Sequence, residues 1–228
     1  IRVVMDVVMN HTGYNTIEDM ITYSFGSTSV TTHGWIDGGS NWQNNHAVTD
    51  YTSSLWNNWW SSWVRAFDGQ WDYEAPGGDD LTKPLAGLPD VVTEKTGPYT
   101  IPTFMQTKWT AENNVSFDNW RVPSASDLRT NLSVSPVEYI TKWLASWVEE
   151  FGVDGFRCDT AKHIDMYRWG QLKTACNAAL SEWRSSARAT GDAKNWDENF
   201  WMTGECFGWT NSISGDYFTT GGFDSMIN

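Results

Sequence analysis

Three short apolar runs in this chain each lead to polar, chemistry-bearing residues, and that repetition restricts the fold more than any other feature. Residues 1–9 (Ile1, Arg2, Val3, Val4, Met5, Asp6, Val7, Val8, Met9) are mostly β-branched or apolar on both faces and run into Asn10-His11. Phe151, Val153 and Phe156 lead to Arg157-Cys158-Asp159, and Phe200 to Gly204 lead to Glu205. Strands apolar on both faces belong to parallel sheets covered on both sides. In such sheets the polar groups that do chemistry sit at the carboxyl ends of the strands.

Between these runs the helix signals are clear. Ser135 is placed to be an N-cap, Pro136 takes the first helical position and Glu138 completes a capping box. Ile140, Trp143, Leu144, Trp147, Val148 and Phe151 recur at helical spacing, and Gly152 ends the helix. A second helix is predicted over residues 166–188, with Leu172, Ala175, Cys176, Ala179, Leu180 and Trp183 on one face. Gly222 to Asn228 reads as the opening of one more strand. Residues 12–133 differ in texture, being rich in Gly, Asn, Ser, Thr and Asp with no long amphipathic helix. A structureless loop of that length is implausible, so this stretch reads as an inserted irregular domain. The order strand, insertion, helix, strand, helix, strand, connection, strand fits part of a (β/α)₈ barrel, with a doubly wound open sheet as the alternative.

The acids carry the chemical argument. Alternation along a strand puts Arg157 and Asp159 on one face, with Phe156 and Cys158 on the other. A guanidinium beside Asp159 favours its ionised form, the state a nucleophile needs, although a purely structural Arg–Asp pair would look the same locally. Glu205 has no basic neighbour in sequence and sits among Phe200, Trp201, Phe207 and Trp209. An apolar setting raises a carboxyl pKa, as a general acid requires.

Composition narrows the partners. A net charge of −13 argues against nucleic acid and anionic membranes. No apolar run reaches the length of a membrane span. Cys158, Cys176 and Cys206 lack metal-ligand spacing and read as buried free thiols. Trp42, Trp56, Trp59, Trp60, Trp63 and Trp71 lie in one polar stretch, where indoles either fill a small core or stack on sugar rings.

Taken together, the motifs resemble the α-amylase family of glycoside hydrolases, over nearly the whole chain. Asp6 to His11 resembles the family's block on barrel strand three, Gly155 to His163 that on strand four, and Gly204-Glu205 that on strand five. Leu88-Pro89-Asp90 resembles a short motif of the inserted domain B. The resemblance implies a partial TIM barrel of about strands three to six, formed by residues 1–11 and 134–228, with domain B at 12–133 after strand three. It implies Asp159 as nucleophile, Glu205 as general acid/base, Arg157 as orienting residue and Asp6 as a supporting acid. His11, Lys162 and His163 would contact sugar, and Asn10, Asp90 and the His163 carbonyl would hold a structural calcium ion. The implied substrate is an α-glucan, cleaved internally at α-1,4 bonds with retention. The subgroup most resembled is periplasmic, so the location implied is periplasmic or secreted.

The family also uses a third carboxylate, on strand seven, and no block of this chain matches it; Asp224 lies in a strand-six context. With an opening in mid-strand, the sequence reads as an internal piece of a longer enzyme, expected to have little activity alone and exposed apolar strand edges. Within the same clan, an α-glucosidase, a cyclodextrin-degrading enzyme or a transglycosylase fits the motifs too. A barrel that only binds sugar fits less well, because both working acids are present.

Overall fold

The computed structural model describes residues 1–12, 62–65, 79–83, 85, 88–111, 127–129, 133–207 and 214–227. In chain order the elements are β1 (Val4–Val7), β2 (Val64–Arg65), β3 (Asp90–Val91), α1 (Thr103–Ala111), α2 (Pro136–Phe151), β4 (Gly155–Cys158), α3 (Met166–Ser185), β5 (Trp201–Glu205), α4 (Asp216–Thr219) and β6 (Ser225–Ile227). Short 3₁₀ turns occupy Asp127–Arg129, Ala161–His163 and Gly191–Asn195. Of the tryptophans in the polar stretch, Trp63 is described; Trp42, Trp56, Trp59, Trp60 and Trp71 lie outside the described residues, as does Trp209.

β1, β4, β5 and β6 form one parallel sheet in that order, with Asp6 level with Arg157, Arg157 with Thr203, and Glu205 with Ile227. β2 and β3 form a separate antiparallel pair. α2 and α3 pack against each other and against one face of the sheet. The core there is built from Val7, Phe156, Cys158, Met202, Val148 and Leu172, with Trp169 fully buried among them. A second cluster joins Trp63, Val64, Val91, Ile101 and Leu128 to Tyr139 of α2, and the Trp63 and Tyr139 rings meet edge to face at 5.2 Å.

The helix caps are as the sequence dictates. The Ser135 hydroxyl accepts from Glu138 N–H, the Glu138 carboxylate accepts from Ser135 N–H at 2.8 Å, and Pro136 follows the cap. Those hydrogen bonds hold the Glu138 carboxyl below its usual range. At the other end Gly152 takes φ 67°, ψ 39°, and its N–H donates to the Val148 carbonyl. α3 ends at Ser185, three residues before the predicted end. The Ser186 hydroxyl donates to the Trp183 carbonyl at 2.7 Å and accepts from Arg188 N–H, which gives the backbone an alternative to another helical turn.

Two expectations about burial are corrected. β1 is covered on one face only: Met5, Val7 and Met9 turn inward, while Val4 and Val8 are exposed on the face that carries Asp6. On α2, Leu144, Val148 and Val137 face the core, but Trp143 and Phe151 lie exposed. A helical repeat of apolar residues cannot say which edge of the stripe meets the sheet. α1 was not foreseen, and it buries none of its residues.

The amino ends of the strands are tied together by acids. Asp154 accepts from Val3 N–H through its carboxylate and joins β1 to β5 through its backbone. Asp224 accepts from Met202 N–H and pairs with Lys173 of α3. Arg2 reaches Asp154 and Glu198 and stacks over Trp196, 3.8 Å from the ring centroid.

Candidate active site

The carboxyl ends of β1, β4 and β5 bring Asp6, Arg157, Asp159 and Glu205 together on the face that the helices leave open. Arg157 is the junction. Its Nη1 lies 3.0 Å from Asp6 and 2.8 Å from Asp159, and its Nη2 lies 2.6 Å from Glu205. Asp6 is largely exposed, whereas the other three side chains are about one quarter exposed. The sequence reading paired Arg157 with Asp159 alone; the structure gives it three acids. Parallel registry explains why: Asp6 is level with Arg157 on β1, and Glu205 lies on β5 two residues beyond Thr203, the residue level with Arg157.

The Glu205 carboxyl is raised above its ordinary range, first by burial and then by hydrogen bonding with and charge repulsion from Asp159; Arg157 and the Thr160 amide oppose the shift. The direction and the leading cause, burial, match the expectation, and Asp159 adds to it. Phe200 points to the opposite, covered face, while Trp201 and Phe207 are exposed. A neighbouring carboxylate, invisible in the local sequence, adds to burial as the agent.

His11 sits beside this cluster. Its Nδ1 lies 2.9 Å from Asn10 Oδ1, and burial lowers its pKa against the raising influence of Asp159. Asn10 and Asp90 are brought together: Val91 N–H donates to the Asn10 carbonyl at 2.8 Å, and His11 and Asp90 form a bridge. His163 joins the same corner through Thr160, whose carbonyl accepts its N–H. The His163 ring is buried, with Nδ1 2.6 Å from the Asp80 carbonyl, so it is not presented to the open face as a sugar contact would be. Burial lowers its pKa. Lys162 acts electrostatically on Asp80, near the same turn.

The Asn10–Asp90 corner can be tested for a cation. Both residues are almost fully buried. Asp90 Oδ2 lies 2.7 Å from Arg65 Nε yet makes no hydrogen bond, and burial pushes this carboxyl up to about 8. A buried carboxylate and a buried amide on segments joined through the backbone are oxygen donors of the kind that suits a hard cation such as calcium; Arg65 shares the carboxylate, and the Asn10 amide oxygen also accepts from Thr160. Among the described residues no group of three or more His, Cys, Asp or Glu gathers as a metal site, so such a site depends on amide and carbonyl oxygens.

Two residues escaped the sequence reading. Arg65 pairs with Asp90 and Glu94, and nothing in its local sequence marks it. Thr160 has φ 49°, ψ 43°, the one positive φ among described residues other than glycine. Asp224 lies at the amino end of β6, remote from the cluster, and its carboxylate is committed to Met202 and Lys173. The three cysteines are buried and free. Cys158 lies on the covered face with its thiol pKa well raised by burial, and Cys176 is pushed up to about 12.

Comparison with known proteins gives the same resemblance as the motifs. No family model matches the chain. The proteins it is similar to are α-amylases, a class of glycoside hydrolase. In particular, the whole chain aligns with the periplasmic alpha-amylase of Escherichia coli at 39% identity over 245 residues, covering 32% of that protein. A stretch of 82 residues, 36% of the chain and 8% of the relative, is 38% identical to the alpha-amylase of Streptomyces lividans. The chain thus spans about a third or less of the relatives it matches. Among solved structures, an Anoxybacillus alpha-amylase aligns with a TM-score of 0.46 at 18% identity, and the acarbose complex of the Geobacillus thermoleovorans alpha-amylase with 0.45 at 16%. Each alignment covers all of this chain and 30% of the solved one, and neither likeness is close enough to fix the fold. No helix among the described residues is long and apolar enough to cross a membrane.

Proposed function

We propose that this chain carries the nucleophile and the acid/base of a retaining glycoside hydrolase that cuts α-1,4-glucosidic bonds within starch, glycogen and maltodextrins. Asp159 is the nucleophile and Glu205 the general acid/base. The observation that carries the reading is the Arg157 guanidinium, which reaches Asp159 with one nitrogen and Glu205 with the other. It fixes two carboxyls of adjacent strands on one open face, while burial and the neighbouring Asp159 raise the Glu205 carboxyl above its ordinary range.

The chemistry follows from that arrangement. Asp159 attacks the anomeric carbon, the bond to the leaving oxygen breaks, and Glu205 gives that oxygen its proton. Water then attacks the same carbon, Glu205 takes the proton of the water, and the bond to Asp159 breaks, so the configuration is retained. His11 and Lys162 contact the sugar, and Asp6 holds Arg157 from the exposed side. A calcium ion on Asn10, Asp90 and the His163 carbonyl would supply a structural clamp, joining β3 to the sheet. In this reading the parallel sheet is strands three to six of a (β/α)₈ barrel, residues 12–133 are its domain B, and the protein works in the periplasm or outside the cell.

The test is early-time NMR of the products formed from soluble starch by the full-length protein. α-Anomers should appear first, and Asp159→Asn and Glu205→Gln should each cut kcat by several orders of magnitude while starch is still bound. Release of the β-anomer, or near-normal turnover in either variant, refutes the assignment.

A further inference from the structure

We infer that Thr160 is a positioning residue: its left-handed backbone and its hydroxyl together tie the Asp159 turn to Asn10-His11. The inference rests on the roles proposed above for Asp159 and Glu205. A β-branched residue with positive φ is disfavoured and persists only where its surroundings hold it there. Here every polar group of Thr160 has a use. The hydroxyl donates to Asn10 Oδ1, which His11 Nδ1 also approaches. The carbonyl accepts from His163 N–H at 2.9 Å, closing the 3₁₀ turn Ala161–His163. The backbone amide opposes the rise of the Glu205 carboxyl.

An extended conformation at residue 160 would carry β4 straight on, whereas the left-handed one turns the chain immediately after Asp159. That turn seats Ala161 in the core, where its carbonyl accepts from the buried Trp169 indole N–H at 3.0 Å. Asp159 is therefore held by Arg157 on one side and by a strained, anchored neighbour on the other. The hydroxyl links the end of β4 to the end of β1, so the imidazole of His11 and the carboxylate of Asp159 keep one relative position.

Three variants of the full-length protein separate this role from a merely structural one. Thr160→Val keeps the shape and the strain but loses the hydroxyl. It should lower kcat on soluble starch roughly tenfold, with KM within about twofold, as expected when one orienting hydrogen bond is lost. Thr160→Ser restores the hydroxyl and should return kcat to within about threefold of wild type. Thr160→Gly relieves the backbone, so its melting temperature should stay level or rise while kcat falls. Wild-type kcat in Thr160→Val, an equal loss in Thr160→Ser, or a parallel fall of melting temperature and kcat in Thr160→Gly would each overturn the inference alone. A wild-type protein inert on starch would overturn the functional reading itself, and this inference with it.

Discussion

Gly152→Ala should destabilise the protein far more than Gly191→Ala, although the two glycines share nearly the same backbone. Gly152 has φ +67° and Gly191 φ +63°, so an added methyl group meets the left-handed penalty at both, about 1 kcal/mol. At Gly191 a Cβ would find nothing within 4 Å. At Gly152 it would stand 2.3 to 2.5 Å from three ring atoms of Trp183. The indole must be displaced from the end of α2, an overpacking cost of about 1–3 kcal/mol. The sum at Gly152 is about 2–4 kcal/mol. For a chain of this size that lowers the melting temperature by about 4–16 °C, against about 2–4 °C at Gly191. Circular dichroism melts of both variants under the same buffer measure the difference. Equal shifts would refute the reasoning, since the contact with Trp183 alone separates the two sites.

Three further outcomes follow from the geometry. The raised Glu205 carboxyl favours its protonated form in the fold, so that contribution to stability is full below the ordinary value of 4.5 and is lost as pH rises through the folded value. Glu205→Gln should therefore melt higher than wild type at pH 7, with the gap closing towards pH 4, and a gap that widens in acid refutes the direction. Removing calcium with chelator should lower the melting temperature, since an ion at a hundred times its Kd stabilises by about 2.7 kcal/mol; an unmoved melt removes calcium from the proposal. Ser135→Ala deletes one half of the capping box and should cost about 1–2 kcal/mol by denaturant titration, whereas no change would mean that Pro136 and the Glu138 carboxylate suffice to start α2.

What the sequence could convey was whatever depends on near neighbours. The Ser135-Pro136-Val137-Glu138 cap, the stop at Gly152 and the alternation that puts Asp159 opposite Cys158 are all local, and the structure has them. The parallel order of the strands was legible because two of them are separated by a helix. What failed was anything decided across strands. Arg157 has three acidic partners because of register with β1 and β5, and no pattern within β4 announces that. The part of the Glu205 shift that comes from Asp159 was missed for the same reason, while burial, its leading cause, was read correctly. The resemblance implied a sugar-contacting His163, but the ring is buried with its Nδ1 against the Asp80 carbonyl. The positive φ of Thr160 had no local signal, because threonine is a residue from which that conformation is not expected.

Acids at opposite ends of the same sheet serve different ends. Asp154 and Asp224, at the amino ends, spend their oxygens on backbone N–H groups of the neighbouring strands. Asp6, Asp159 and Glu205, at or towards the carboxyl ends, crowd round one guanidinium. The lower rim is therefore a hem that keeps the strands in step, and the upper rim is a workbench that the hem supports. Replacing an acid of the hem should surface as poor yield or early melting with intact chemistry in the molecules that do fold. Replacing one of the workbench should leave a well-folded protein with altered reactivity. Selection for a new substrate can therefore work along the upper rim while the strands stay in register below.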